Sequence, residues 1–197
     1  MDWGLWVLSG FRSAVYLEFK MLAAVLAYVV AVFSIGFIQS KFLPILLWAI
    51  SSRSLILLAL CIAYVNLLAA LLLAVTSHTI FNVLTPLHLS RCSIAYTPDC
   101  RFTRLLSNRR LEVSLALFPL LVVELMVGSM TRLGLPVTLD GLVSVLVYGL
   151  TNTYGVLELS GYMVAYLTPV LRRWWLSVLV VTLISIGALV EAKLVVG

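Results

Sequence analysis

Charged residues are scarce in this chain, where they make up 11% of 197 residues against about 25% in an average soluble domain. The motifs of common catalytic sites are also lacking. The sequence has no Walker loop, no dinucleotide-binding glycine fingerprint, no Gly-x-Ser-x-Gly elbow and no His-Glu-x-x-His pair. The low charge excludes a soluble globular domain. The missing motifs argue against an enzyme and predict no cofactor.

Histidine and cysteine are also few, with two and three residues respectively. His78 and His88 do not have the spacing of metal ligands and join no four-ligand cluster, so the sequence predicts no metal site. The net charge of +5 comes from basic residues dispersed at the ends of apolar segments. This pattern favours a lipid bilayer with anionic headgroups as the partner and argues against a nucleic acid.

Hydrophobic residues dominate the chain, at 63% of the sequence and a mean hydropathy of +1.15. This composition predicts an all-α fold, a polytopic helical membrane protein with a single transmembrane domain over residues 1–197. No signal peptide with a small-residue cleavage site is evident, so we expect the first span to remain in the mature protein.

Apolar segments of about 20 residues, the length that crosses a bilayer, predict about five transmembrane helices. The predicted spans are 21–39, 54–80, 111–130, 141–167 and 176–192. Tryptophans mixed with scattered charges predict an N-terminal interfacial helix over 1–20. The apolar stretch within 41–53, after Pro44, is too short to cross and should re-enter or lie flat.

The distribution of lysine and arginine predicts the orientation. With the N-terminus in the cytoplasm, nine basic residues lie inside and four outside, which favours this arrangement. The inner set is Arg12, Lys20, Arg91, Arg101, Arg104, Arg109, Arg110, Arg172 and Arg173, and the outer set is Lys41, Arg53, Arg132 and Lys193. We therefore expect a multi-pass protein of the cell membrane with a cytoplasmic N-terminus.

Cys92 and Cys100 bracket part of the polar segment 82–110, which we predict to be a loop. Pro98 and Asp99 suit a turn that would bring the two sulfurs together. A disulfide and two free thiols both remain open, because the predicted orientation places the loop in the cytoplasm, where disulfides are rare outside hyperthermophiles. Cys61 lies in an apolar helix and is expected to pack there.

The fourth predicted span is interrupted by the polar stretch 148–159, which we consider the main candidate for a functional site. Glu158 would lie in the bilayer, where an ionised group costs roughly 2.5–3.5 kcal/mol. Gly149 and Gly155 should let the helix bend or approach a neighbour closely, and Gly161 adds another small residue for helix packing.

Tyrosines flank Glu158 on the predicted helix, because Tyr154 and Tyr162 are its i−4 and i+4 neighbours and Asn152 lies less than two turns away. Tyrosine hydroxyls could donate hydrogen bonds to the carboxylate. The cluster could serve as a proton or cation relay. The alternative, which we weigh slightly higher, is a structural carboxyl that holds helices in register.

Three further polar residues lie within predicted spans. For Glu124 two alternatives stay open, a second functional carboxyl or a hydrated carboxyl near an interface. Glu191 ends the fifth span beside Lys193 and is expected to be solvated, and Asn66 is expected to donate a hydrogen bond between helices rather than bind a ligand.

Two segments give a family resemblance. The run 154–159, Tyr-Gly-Val-Leu-Glu-Leu, resembles the Pro-His-Gly-x-x-Glu-Leu motif of the stage II sporulation protein M family of integral membrane proteins, with Thr153 and Tyr154 replacing its proline and histidine. Residues 184–192 are similar to that family's closing Ala-x-x-Ile-Glu-Ala pattern. The resemblance covers about residues 54–195 and marks Gly155, Glu158 and Glu191, with Asn66 marked more weakly.

The resemblance implies a non-enzymatic membrane scaffold or transport-associated subunit of a larger envelope complex, in a member unconnected with sporulation. The implied partners are other copies of the chain or other integral membrane subunits, and the arginine-rich loop could dock a cytoplasmic partner. The alternative is an ion- or proton-coupled transporter or channel component that uses Glu158. An intramembrane enzyme is the least favoured reading, since no histidine is expected near Glu124.

Overall fold

The structure is a computed structural model that describes residues 3–94, 99–132 and 136–197, without the side chains of 3–14, 36, 39, 40, 43, 94, 128, 129, 131 and 132. The described residues are helical almost throughout. The helices are α1 (Trp3–Ser51), α2 (Leu55–His78), a π-helical segment (Thr79–Leu84), α3 (Thr85–Ile94), α4 (Asp99–Asn108), α5 (Arg110–Arg132), α6 (Leu139–Thr151), α7 (Thr153–Leu171) and α8 (Leu176–Val196).

Helix α1 joins three segments that the sequence had suggested to be separate. Residues 3–51, which include the described part of the predicted interfacial helix, the first span at 21–39 and most of the short stretch at 41–53, form one helix that continues through Pro44. No glycine or turn-forming pair separates these segments, so nothing stops the helix before the serines at its end. Ser54 caps the next helix, accepting a hydrogen bond from the Leu57 amide at 3.4 Å.

The predicted polar loop over 82–110 is wrong, because this segment is mainly helical. The π-helical segment and α3 continue directly from α2, and α4 follows after the undescribed residues 95–98. The Cys92–Cys100 disulfide joins α3 to α4, so the disulfide alternative is confirmed. The Thr103 hydroxyl lies 2.9 Å from His88 Nδ1 and adds a second link between these helices.

The described residues contain three helices long and apolar enough to cross a membrane: Val15–Ile35, Leu55–Ser93 and Leu176–Val196. The α6–α7 pair meets the same test together, but its axes bend by 99°. The all-helical class is thus confirmed over the described residues, and the three or four candidate spans are compatible with a membrane protein. The prediction of five spans is not confirmed, because α5 does not meet the test for a candidate span over its described residues. The separate interfacial helix is not confirmed either, because its described residues belong to α1.

Helices α2, α7 and α8 form the core, with three apolar clusters along α2. Near the start of α2, Leu58 packs with Ala188 and Ala192 of α8. In the middle, Ala70 packs with Ala165, Val180 and Ile184. Near its end, Leu73 and Phe81 pack with Tyr166 and Val170. Helix α7 therefore runs parallel to α2, and α8 runs antiparallel.

The end of α7 lies against the π-helical segment. The Asn82 side-chain amide donates to the Pro169 carbonyl at 2.8 Å, and the rings of His78 and Trp174 are 6.0 Å apart. The arginine-bearing residues 91–94, 99–110 and 172–173 therefore lie toward the same end of the core. The count of lysines and arginines had likewise assigned the arginines of these segments to one side of the membrane, the cytoplasmic side.

Candidate functional site

The polar stretch of the fourth predicted span coincides with a sharp break between α6 and α7. Asn152 separates the helices with an extended backbone, at φ −101° and ψ 138°. Its amide N–H and its side-chain amide both donate to the Tyr148 carbonyl, at 3.2 and 2.6 Å. The Thr151 hydroxyl donates to the Val147 carbonyl at 2.9 Å. Side chains thus supply additional donors to carbonyls in the last turn of α6, where the helix ends.

Glycine permits the close contact on which this break depends. A Cβ atom added to Gly155 would lie 2.2 Å from the carbonyl oxygen of Gly149 and 2.7 Å from its Cα. A Cβ added to Gly149 would meet no atom within 4 Å. Of these two residues, only Gly155 must be a glycine, because the backbone of α6 crosses that of α7 there.

A hydrogen-bonded network lies just after the break, at the middle of α2. The Asn66 side-chain amide donates to Glu158 Oε1, and the Tyr162 hydroxyl donates to Asn66 Oδ1 at 2.9 Å. Asn66 thereby links two residues one helical turn apart on α7. Its predicted role as an interhelical hydrogen-bond donor is confirmed, and its acceptor is the carboxyl group.

Three residues extend this network toward α8 and the break. Glu191 is half-buried rather than fully solvated, and it lies one helical turn after Gly187, the residue of α8 that packs against Glu158. The Tyr154 ring packs edge-on against the Tyr148 ring, with the two ring centroids 6.2 Å apart. We call Asn66, Tyr154, Glu158, Tyr162 and Glu191 the polar cluster.

Helix α8 approaches the polar cluster through a glycine. A Cβ atom on Gly187 would lie 3.1 Å from Glu158 Cγ and 3.3 Å from the Tyr154 carbonyl oxygen. Gly161 serves the same packing one turn further along α7, where an added Cβ would lie 2.8 Å from Ile184 Cγ1. The predicted role of Gly161 in helix packing is confirmed, and the contact is with α8 of the same chain.

The polar cluster contains two carboxyl groups and no basic side chain. Between described residues, the ion pairs are Arg91–Glu18 at 3.2 Å and Arg109–Glu112 at 3.1 Å, both exposed and both outside the cluster. The cluster can therefore accept a cation or hold protons, and its hydroxyl and amide groups can donate to or accept from an occupant.

Some predicted site residues lie outside the cluster. Glu124 is exposed on α5, and the Asn152 side chain bonds to backbone rather than to Glu158. His88 contacts Cys92 Sγ at 3.5 Å. Within the part of the chain that the structure describes, no group of three or more histidine, cysteine or acidic residues could hold a metal ion.

Two residues of this region were missed from the sequence. Tyr148 is one of several tyrosines and Gly187 one of several glycines in apolar helices, and only their partners in the fold distinguish them. A separate open cavity of about 230 Å³ lies between α1 on one side and α2 with the π-helical segment on the other. It is lined by Ala24, Ala27, Tyr28, Val75, Thr79 and Val83. None of its lining residues belongs to the polar cluster.

The fold and this cluster define an all-helical protein that has three or four helices apolar enough to cross a membrane and a carboxyl network beside a broken helix. No protein-family model matches the chain, and no curated protein or solved structure matches it significantly.

Proposed function

We propose that this chain is a non-enzymatic, transport-associated membrane subunit in which the polar cluster binds a cation or a proton. The observation that carries the proposal is the hydrogen-bonded chain from Tyr162 through Asn66 to Glu158, with Glu191 nearby. A second carboxyl group adds repulsion to a purely structural network, whereas a bound cation or proton would relieve that repulsion.

The broken helix supports the same function. Carriers commonly bind ions or substrates at interrupted helices, because the break exposes backbone groups near the membrane midplane. Here the 99° bend lies six residues before Glu158. The proposal keeps the predicted orientation, with the arginine-bearing end of the core in the cytoplasm of a cell membrane.

The proposal is tested by flux through liposomes that contain the purified protein. Proton, sodium and potassium fluxes should be measured for the wild type, Glu158→Gln and Glu124→Gln. We expect Glu158→Gln to abolish the flux and Glu124→Gln to retain it, because Glu124 is an exposed carboxyl outside the cluster. Equal flux in the wild type and Glu158→Gln would refute the proposal.

A second candidate function is a scaffold that associates with other copies or with other integral membrane subunits, as the resemblance to the stage II sporulation protein M family implies. The exposure of α1 favours it, because the candidate span Val15–Ile35 is almost entirely unburied within the chain. Affinity purification from native membranes, followed by mass spectrometry, should then recover a stoichiometric partner. Recovery of the chain alone as a monomer would exclude the scaffold.

A further inference from the structure

The turn between α7 and α8 contains an unusual arginine. Helix α7 ends in a Schellman-type turn, in which the Arg173 amide donates to the Thr168 carbonyl at 3.1 Å and the Arg172 amide donates to the Pro169 carbonyl at 3.2 Å. Arg172 has the left-handed conformation at φ 56° and ψ 33°. Glycine is the usual residue at this position because it has no Cβ to clash.

The left-handed backbone conformation destabilises the turn when the residue is arginine rather than glycine, so the presence of arginine requires an explanation. Basic residues often compensate the partial negative charge at a helix C-terminus. That charge is already reduced here, because the Pro169 carbonyl also accepts the Asn82 side-chain amide and the Thr168 carbonyl accepts the Arg173 amide. Both guanidinium groups belong to exposed residues.

The surroundings of this turn indicate the partner. Trp174 and Trp175 follow the two arginines and are 59% and 65% exposed. Helix α8 is a candidate span, and α7 belongs to the bent candidate pair. A turn between two membrane-crossing helices must lie at the bilayer surface, where tryptophan is enriched and arginine meets lipid phosphate.

We propose that Arg172, Arg173, Trp174 and Trp175 form a binding site for the headgroup of an anionic phospholipid. The guanidinium groups can pair with phosphate oxygens in a bidentate way, and the indoles can lie against the glycerol and upper acyl region. The site is independent of the polar cluster, so a failure of the transport proposal would leave it intact.

The experiment uses the full chain with Trp3, Trp6 and Trp48 replaced by phenylalanine, so that fluorescence reports only Trp174 and Trp175. Quenching is measured in vesicles containing phosphatidylglycerol or phosphatidylcholine with brominated acyl chains, and their ratio gives the relative affinity at the turn. We expect a preference for phosphatidylglycerol that falls about fivefold for each arginine removed by Arg172→Gly or Arg173→Gln. Arg172→Lys keeps the charge but loses the bidentate pairing, so it should retain only part of the preference.

Arg172→Gly also separates this role from a structural one. In detergent without lipid, glycine should relieve the left-handed backbone and raise Tm by about 2–4 °C, while the lipid preference falls. Arg53, at the turn between α1 and α2, is the matched control because it is also left-handed, at φ 52°. Arg53→Gly should raise Tm similarly without changing the preference measured at Trp174 and Trp175.

Two results would overturn the proposal. One is an equal affinity for the two lipids in the wild type. The other is an unchanged preference in Arg172→Gly and Arg173→Gln. Abolition of the preference by inorganic phosphate at millimolar concentration would point to a free-anion site and would likewise refute binding of a lipid headgroup.

Discussion

The core of α2, α7 and α8 and the peripheral helices α1 and α6 are equally apolar but packed very differently. Ile184 and Tyr166 in the core are fully buried, whereas Phe33 of α1 is 75% exposed and α6 has no buried residue. Small size does not explain the difference, because Ala165 is buried and Ala27 is exposed.

Glycines at close crossings and hydrogen bonds between helices distinguish the core. Gly161 and Gly187 each face a side chain of a neighbouring core helix at a distance that leaves little room for a methyl group, and Asn66 joins α2 to Glu158 of α7. Lipid tails are as apolar as leucine, so hydrophobicity alone does not bring membrane helices together, and close packing and polar pairs do. The comparison predicts where substitutions matter.

The largest loss of stability is expected from a substitution at the contact between α6 and α7. Gly155→Ala should destabilise the protein by about 3 kcal/mol, because the added Cβ would lie 2.2 Å from a backbone oxygen of Gly149 and only a movement of the helix could relieve it. The measurement is thermal or denaturant unfolding in detergent.

Gly149→Ala is the matched control, since its Cβ would enter open space. It should change stability by less than about 1 kcal/mol. Similar losses in the two variants would show that the crossing of α6 over α7 is not the source of the requirement for glycine.

The next largest effect on stability is expected in α3 and α4, which also lie outside the core of α2, α7 and α8. Reduction of the Cys92–Cys100 disulfide should destabilise the α3–α4 pair by about 2–3 kcal/mol, because it opens a loop closed over a sequence separation of 8. Hydrogen exchange should accelerate in residues 85–108 and stay unchanged in α7 and α8. Accelerated exchange throughout α7 would contradict this division between core and periphery.

The sequence predicts part of this organisation well. Two glycines, an amide and threonines within an apolar run indicated the break at Asn152, because each of these residues weakens a helix locally. Apolar runs of about 20 residues likewise predicted membrane helices, of which three or four remain as candidate spans. The 82–110 segment was missed because its polar residues suit an exposed helix as well as a loop.

The pairing within the polar cluster could not be predicted in the same way. Asn66 and Glu158 are 92 positions apart, and only the packing of α7 on α2 makes them neighbours. Tyr162 was expected to contact the carboxyl group as an i+4 neighbour, yet its hydroxyl bonds to Asn66. Local spacing identified the residues on one face of α7, and the partner helix determined which hydrogen bonds form.

A smaller contribution to stability is expected from the hydrogen bond between Asn66 and Glu158. In a double-mutant cycle, Asn66→Ala and Glu158→Ala should show a coupling energy of about 1 kcal/mol, because each single substitution removes the same hydrogen bond. Unfolding in detergent provides the four stabilities that the cycle requires. Coupling indistinguishable from zero would mean that packing alone holds α7 against α2.

The smallest effect is expected on the exposed face of α1. Phe33→Ala should change stability by less than about 0.5 kcal/mol in detergent, whereas Ile184→Val in the core should cost about 1 kcal/mol although it removes only one methylene. Unfolding of both variants under identical conditions measures the difference, and a larger loss for Phe33→Ala would show that α1 packs against a second copy in the micelle.

A photo-crosslinking residue at position 33 in native membranes extends the test. Capture of lipid alone would assign α1 to the bilayer and weaken the scaffold function, whereas capture of one integral protein would explain why so long an apolar helix remains exposed.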